Sequence, residues 1–321
     1  FLFTTFPRFL SASKITKETY LKIFFLFVLA TLVNILGAFV SNIIYSFSIF
    51  ITLIALSWSV GLMYKINKNS ILDNKHDTNF MLIGFYAGIL SLIIFLSGMD
   101  NKLAVEISIY NFLFVVSFSV AQRMIPFFSH ITPIRLDSFL RNIVILLIAH
   151  TLFEFTHTNI SFVIDMILAF YIAYELYRWK LPFPNENAMV TILHISLFWI
   201  PISFFISSIT KAFSLFNDNI FLAMDIHSLM LGFLFTVLIG FGTRVTIGHS
   251  GNMMIATPYV KFLFVFSQIV VIVRLAVSIV ASLGYNFMII FDISITMWLL
   301  MFIFWLYKFF AVIVFGKKLD S

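Results

Sequence analysis

The sequence predicts an all-α protein, a polytopic bundle of about ten transmembrane helices. The chain of 321 residues is 61% hydrophobic and only 11% charged, with a mean hydropathy of +1.06. Soluble domains are roughly half apolar and a quarter charged, so this chain requires lipid as its solvent. Its apolar runs are about 20 residues long, enough to cross ~30 Å of hydrocarbon, and they lack the alternation of barrel strands. The predicted spans are 20–41, 43–64, 80–98, 104–122, 142–157, 158–178, 188–209, 220–243, 259–282 and 286–311.

The basic residues support this arrangement of spans. If all ten segments cross, 17 of the 20 Lys and Arg residues fall on one side, Lys102 and Lys211 fall on the other, and Arg274 lies inside a span. The positive-inside rule then predicts that both ends of the chain are cytoplasmic. Because these residues are scattered over short loops, the net charge of +6 reflects topology, and we expect no nucleic-acid partner.

The connections are short, which predicts a single transmembrane domain over residues 1–321. The longest are 65–79, a solvated loop, and 123–141, an apolar stretch with two prolines that we expect to be interfacial or re-entrant. The absence of cysteine excludes disulfides, thiolate metal sites, iron–sulfur clusters and covalently attached haem. The first ten residues, FLFTTFPRFL, are typical of the end of a helix, so we expect a missing upstream part.

Ionisable residues inside lipid are costly unless they are paired, so each is a candidate site residue. His150, Glu154 and His157 stand at i, i+4 and i+7 on one helical face and are candidate metal ligands. Arg274, about 15 residues into its span, should find a carboxylate from Asp225 or Asp292. Such residues form either ion pairs that fix helix packing or a proton path. The candidates for that role are Asp225, Arg274, Asp292 and Asp165.

A second group of polar residues lies toward the predicted cytoplasmic side. It comprises Arg123, His130, His194, Arg244 and His249. Imidazole is the usual axial ligand of b-type haem, a good copper ligand and a possible proton relay, and spacing alone does not choose among these roles. No His-Glu-x-x-His motif and no P-loop occurs, so the residues alone indicate a polytopic protein with intramembrane histidines.

Three segments resemble one protein family. Residues 225–251, DIHSLMLGFLFTVLIGFGTRVTIGHSG, are similar to a helix of the NnrS family that opens with His and ends in Thr-Arg-Val-x-x-Gly-His-x-Gly. The segment RMIPFF at 123–128 is similar to the family's Gly-Arg-x-Ile-Pro-Phe-Phe, with Gln122 in the Gly position. His194 in LHISLFWIP is similar to a Leu-His-x-Gly-x-x-Trp element, with Ser196 in the Gly position.

The resemblance implies a haem- and copper-containing protein of the bacterial inner membrane, linked to nitric oxide metabolism and nitrosative-stress tolerance. It implies that these are the last ten of about twelve spans, and that the cofactors are haem b and copper, with nitric oxide as a ligand. The residues it points to for cofactor binding are His194, His227, His249, Arg123 and Arg244. The two arginines suit haem propionates, or else they snorkel to lipid headgroups. The three histidines lie at different depths, so we expect them not to share one site.

Two other functions fit the same residues. One is a cofactor-free transporter in which Asp225, Arg274 and Glu154 gate a substrate or proton path. The other is a haem–copper enzyme that reduces nitric oxide, which requires histidines converging beside the haem. Whether the protein is an enzyme is therefore left open by the sequence.

Overall fold

A computed structural model describes residues 2–136, 138–156, 159–217, 220–316 and 318 of the chain. The described residues contain no strand, and 83% of the structure is helical, which confirms the predicted all-α class. The helices are α1 (Leu2–Phe9), α2 (Lys17–Val40), α3 (Asn42–Asn69), α4 (His76–Ser97), α5 (Asn101–Glu106), α6 (Val115–Phe128), α7 (Phe139–Phe155), α8 (Phe162–Trp179), α9 (Ala188–Asn217), α10 (Met224–His227), α11 (Thr236–His249), α12 (Pro258–Ser282) and α13 (Met288–Phe315). Two π-helical segments complete them, π1 (Ile107–Phe114) and π2 (Ser228–Phe235), with a short 3-10 turn at Asn159–Ser161.

Each predicted span forms a helix, and eight helices of the described chain are long and apolar enough to cross a membrane. In this count α5, π1 and α6 form one helix, Asn101–Phe128, and α10, π2 and α11 form another, Met224–His249. The other two predicted spans are weaker. Helix α7 has 17 residues, or roughly 25 Å, and α8 carries Asp165, Glu175 and Arg178. The prediction of about ten spans is therefore approximate.

Helix ends follow local sequence signals. Thr16, Ser41 and Thr257 each cap a helix by accepting a hydrogen bond from a backbone N–H of the first turn. Pro258 stands in the first turn of α12, where its missing N–H is not needed. Helix α6 continues to Phe128, so the first part of the predicted 123–141 connection is helical.

One compact unit consists of residues 1–120 and 137–156. In it α3 packs on α2 and α4, and α4 packs on π1. The contact between α4 and π1 is very close, because a Cβ at Gly88 would lie 2.8 Å from the ring of Phe112. Helix α7 also belongs to this unit and contacts α5 and π1.

The other compact unit consists of residues 121–136 and 157–321. Its central helix is α9, which packs on α8, π2 and α11, while α12 packs on α13 and also contacts α10 and π2. The division into these two units does not test the predicted single domain, which stays a prediction.

The two units contain equivalent three-helix arrangements. In the first, α5 and π1 contact α4 and α7; in the second, α10 and π2 contact α9 and α12. Both π segments are eight residues long and follow a short α-helix. The sequences 112–123 (FLFVVSFSVAQR) and 233–244 (FLFTVLIGFGTR) share five identical residues of twelve, including the final arginine. We call α4, α5–π1 and α7 copy 1, and α9, α10–π2 and α12 copy 2.

Candidate functional site

His194 is buried within α9, and its imidazole is held by the residue that follows α6. Its Nε2 lies 2.7 Å from Ser129 Oγ, and that hydroxyl donates its proton to the Ile125 carbonyl at 2.8 Å. Since a hydroxyl has only one proton, Ser129 must accept a hydrogen bond from His194 Nε2–H. The lone pair is then on Nδ1, which is buried and has no hydrogen-bond partner among the described residues.

Arg244 on α11 approaches the same end of α6. Its guanidinium carbon lies 4.1 Å from the centroid of the Phe128 ring, a cation–π distance. Its Nε and Nη1 atoms are buried and have no hydrogen-bond partner in the described part of the chain. Because Phe128 and Ser129 are consecutive, Arg244 and His194 both contact the C-terminal end of α6. We call Phe128, Ser129, His194 and Arg244 the inner cluster.

Close packing of α11 on α9 holds the inner cluster in place. A Cβ at Gly240 would lie 2.7 Å from Leu193 Cδ2, so a larger residue there would displace the Leu193 side chain beside His194. Three residues further along α11, Thr243 accepts a hydrogen bond of 2.9 Å from Trp305 Nε1 of α13. These contacts set the rotation of α11 and therefore the direction of Arg244.

His227 and Arg274 meet where α10 becomes π2. This junction is at the opposite end of the Met224–His249 helix from Arg244. His227 Nδ1 lies 2.6 Å from the Ala223 carbonyl, so Nδ1 carries the proton and donates it. Arg274 Nη2 lies 3.2 Å from the same nitrogen. Both of these contacts are at Nδ1. The other ring nitrogen, Nε2, forms no hydrogen bond within the described residues. We call Ala223, His227 and Arg274 the π2 junction.

The prediction that Arg274 pairs with a carboxylate of Asp225 or Asp292 was wrong. Its guanidinium donates to Ser278 Oγ at 3.1 Å and to the Leu222 carbonyl at 3.5 Å, and no carboxylate contacts it in the described chain. Asp225 lies instead 3.9 Å from Lys211 Nζ, and Asp292 is exposed on α13. Sequence gives the depth of a residue along a helix but not the direction in which it points.

A buried ion pair links α8 and α9. Lys211 Nζ lies 2.9 Å from Asp165 Oδ2, and Ser207 Oγ donates to the same oxygen at 2.7 Å. Asp165 is fully buried and Lys211 is 8% exposed. The sequence identified Asp165 but treated Lys211 as a loop residue, because α9 extends to Asn217, beyond the predicted end of its span.

Copy 1 holds a pair of ionisable residues at the position that corresponds to the π2 junction. Glu106, the last residue of α5, and His150 on α7 are both buried, with Glu106 Oε2 3.6 Å from His150 Nε2. The ring of Tyr110 lies 4.3 Å from the imidazole, centroid to centroid. We call Glu106, Tyr110 and His150 the π1 junction. The sequence analysis missed Glu106. Its position near the start of the predicted span 104–122 could have identified it, because a carboxylate inside an apolar span is a candidate site residue.

Glu154 lies beside a lysine, and its role as a metal ligand with His150 stays a prediction. Its carboxylate Oε2 lies 3.1 Å from Lys102 Nζ, and it is buried beside that lysine. One residue along from His150, Thr151 Oγ1 accepts a 2.6 Å hydrogen bond from Asn111 Nδ2 of π1. The third predicted ligand, His157, lies outside the described residues.

The remaining candidates are at the surface of the protein. Arg123 on α6 and His249, the last residue of α11, are both exposed, as is His130. His227 and His249 stand at opposite ends of one span, roughly 30 Å apart by helical rise, so the prediction that they do not share a site agrees with the fold. Within the described residues, no three His, Asp or Glu side chains are grouped to hold a metal ion.

Comparison with known proteins identifies the family. A family model described as NnrS protein matches residues 1–315. The chain belongs to the NnrS family. No curated protein and no solved structure matches it.

The two NnrS-like motifs of copy 2 pack directly on each other. Gly232, in the 225–251 segment, faces Trp199 of the α9 motif so closely that a Cβ would lie 2.6 Å from the indole. Trp199 also donates to Gln268 Oε1 at 2.8 Å, and Gln268 Nε2 donates to Thr236 Oγ1 at 3.0 Å. In this NnrS chain the family-like residues therefore form one packed surface that joins α9, π2, α11 and α12.

Proposed function

We propose that this chain is a haem- and copper-binding protein of the bacterial inner membrane that acts in nitric oxide metabolism and nitrosative-stress tolerance. The observation that carries the proposal is the inner cluster. There, the buried Nδ1 of His194 and the buried Nε and Nη1 atoms of Arg244 have no hydrogen-bond partner among the described residues, and both side chains contact the end of α6.

Both groups suit a b-type haem. Unsatisfied buried polar atoms are uncommon in folded proteins, and each calls for a ligand or a water. His194 offers a nitrogen lone pair to the iron, with Ser129 fixing the tautomer from the opposite side of the ring. Arg244 offers two N–H donors to a propionate, the planar geometry that guanidinium groups match well. A haem bound there supplies an iron atom that binds nitric oxide.

The orientation of the chain follows from its basic residues. With both ends in the cytoplasm, Arg123 and Arg244 lie at the cytoplasmic edge of the bilayer, where propionates and lipid headgroups are both accessible. His227 and Arg274 lie at the opposite edge and form a second, separate place for a ligand. His249, at the cytoplasmic end of α11, remains a candidate cofactor ligand at a site of its own.

Haem analysis of the full-length protein tests the proposal. We expect a Soret band and a b-type pyridine haemochrome in the wild-type protein, with most of the haem lost in His194→Ala. Ser129→Ala keeps the ligand but releases the ring, so its haem affinity should fall about 10- to 100-fold. His76→Ala, which changes a histidine at the start of α4, is the matched control and should keep full haem content.

Two results would overturn parts of the proposal. A well-expressed but colourless wild-type protein would rule out the haem function altogether. Full haem occupancy in both His194→Ala and Arg244→Gln would show that the haem lies elsewhere, and His227→Ala and His249→Ala would then be the next variants to measure.

A cofactor-free transporter is the second candidate, and the repeated copies favour it. Many transporters are built from internal repeats, including parallel ones. The buried Asp165–Lys211 pair and nearby Asp225 are charged groups of the kind that line such paths. This candidate predicts solute flux in liposomes without haem or metal, abolished by Asp225→Asn. Flux that is absent in the wild-type protein would exclude it.

A further inference from the structure

An apolar cavity of about 300 Å³ lies within the compact unit formed by residues 1–120 and 137–156. Side chains of α2, α3, α4 and π1 form its walls, and Leu2 and Phe3 of α1 also line it. An apolar cavity of about 150 Å³ can already hold a benzene molecule. The space between these helices is therefore large enough for a ligand.

The cavity is elongated along α3. The residues of α3 that line it share one helical face, at i, i+4, i+7 and i+11: Thr52, Leu56, Ser59 and Met63. From the first to the last of them the helix rises roughly 16 Å. One leaflet contributes about half of the ~30 Å of hydrocarbon in a bilayer, so this length matches a single lipid tail. The four residues also occupy the half of the predicted span 43–64 that is nearer the basic side of the membrane.

The wall of the cavity has no free hydrogen-bond donor. Its four hydroxyl groups each donate to a backbone carbonyl three or four residues earlier in the same helix, at 2.7 to 2.9 Å: Thr52, Ser59, Ser91 and Ser108. The other lining residues carry aliphatic, aromatic or thioether side chains, or are glycine. A bound water needs two to four polar partners, so this cavity suits hydrocarbon rather than water. It is partly open, and at its depth the surroundings are lipid tails.

Basic residues lie beyond the Met63 end of the cavity. Lys65 and Lys68 follow Met63 on α3, roughly 3 and 7.5 Å further along the helix axis, and both are exposed. Arg8 of α1, the helix that contributes Leu2 and Phe3 to the wall, is exposed as well. Clusters of Lys and Arg at this edge of a membrane attract anionic lipid headgroups, and long lysine side chains extend to reach them.

We propose that the cavity holds one acyl chain of an anionic phospholipid from the leaflet on the basic side of the membrane. The chain lies along α3, and its headgroup is held by Lys65 and Lys68. It also contacts Phe112 of π1, whose ring packs on Gly88 of α4, so the lipid completes the packing of α4 on π1. This inference does not depend on haem or copper, because the lining side chains offer neither of them a nitrogen or carboxylate ligand.

The test measures the phospholipid that the full-length protein retains. Protein in detergent is loaded with phosphatidylglycerol or with phosphatidylcholine of identical acyl chains, washed, and examined by native mass spectrometry. The wild-type protein should keep one phosphatidylglycerol per chain and lose the phosphatidylcholine. Ser59→Leu fills the cavity and should lose the lipid. Ser57→Leu, which adds the same side chain at an exposed position of α3, is the matched control and should keep it.

Thermal unfolding separates the loss of a ligand from the loss of the fold. Without lipid, Ser59→Leu should unfold at the temperature of the wild type or above it, because leucine occupies empty volume. Added phosphatidylglycerol should raise the Tm of the wild type and of Ser57→Leu, and leave that of Ser59→Leu unchanged. The double variant Lys65→Gln/Lys68→Gln keeps the cavity and should lose the preference for phosphatidylglycerol.

Three results would overturn the inference. A wild-type protein that retains no phospholipid would rule out the lipid site. Phosphatidylglycerol retained equally by Ser59→Leu and Ser57→Leu would show that the lipid binds outside the cavity. Equal retention of the two phospholipids by the wild-type protein would show that the headgroup charge is not recognised.

Discussion

The two α–π junctions use the same backbone arrangement for different chemistry. In copy 1 a carboxylate faces an imidazole, and both side chains are almost completely buried. In copy 2 an imidazole lies beside a guanidinium, and both are partly exposed. The first pair combines a carboxylate with an imidazole. The second combines an imidazole with a cation, and Asp225 is the nearby carboxylate.

The helix packing next to the junctions differs in a related way. In copy 1 the glycines are on α4, where Gly88 makes room for the Phe112 ring of π1. In copy 2 the glycine is on π2, where Gly232 makes room for the Trp199 ring of α9. Both copies therefore have a close helix contact between a glycine and an aromatic ring. The ring is on the π segment in copy 1 and on the neighbouring α-helix in copy 2. The repeated feature is the helix geometry, and the side chains are free to specialise.

The largest expected effect comes from removing the buried lysine of copy 2. Lys211→Met removes the cation that lies 2.9 Å from the buried Asp165, and breaking a buried pair by removing one partner costs about 3 to 5 kcal/mol. We expect this loss in the free energy of unfolding, measured in a fixed detergent or nanodisc. The double variant Lys211→Met/Asp165→Leu should recover much of the loss, because it removes the uncompensated charge. A single variant as stable as the wild type would show that the pair does not hold α8 on α9.

A smaller effect is expected where π2 meets α9. Gly232→Ala places a methyl group 2.6 Å from Trp199 Cδ2, so the indole must move, at a cost of about 1 to 3 kcal/mol for overpacking. Thermal unfolding followed by tryptophan fluorescence measures both the stability and the disturbed ring.

The matched control for this variant is on α3. Gly61→Ala adds a methyl group where no atom lies within 4 Å, and it should be neutral or stabilise the helix by up to about 1 kcal/mol. Equal losses in Gly232→Ala and Gly61→Ala would show that π2 does not pack tightly on α9.

Much of the fold could be predicted from apolar runs, because a helix in lipid needs a continuous apolar length and little else. That logic located every helix from α2 to α13, but it gave no warning of the π segments. Residues 107–114 look like any other apolar stretch, and a π turn depends on tertiary packing. The repeat was hidden for a similar reason. Matches such as Phe112 with Phe233 carry little information in a chain with 43 phenylalanines.

The candidate site was predictable only in part. His194 and Arg244 were identified by their position in lipid and by family resemblance. Their convergence on the end of α6 was not, because it depends on Ser129, which is 65 residues from His194 along the chain. Arg274 shows the same limit, since its contacts with Leu222 and Ser278 depend on helix rotation, which one sequence does not specify.

The smallest expected effect sharpens the comparison between the two copies. Lys102 and Lys211 are the only basic residues that the sequence places on the non-cytoplasmic side, and each meets a buried carboxylate. The Lys102 side chain is 46% exposed, whereas that of Lys211 is 10% exposed. Water can therefore reach the Lys102–Glu154 pair, and Lys102→Met should cost no more than about 1 kcal/mol, as partly exposed pairs do. Raising the salt concentration should weaken this pair and leave Lys211–Asp165 unchanged. Losses of equal size at the two lysines would mean that burial does not distinguish the copies, and the contrast between their junctions would then rest on residue chemistry alone.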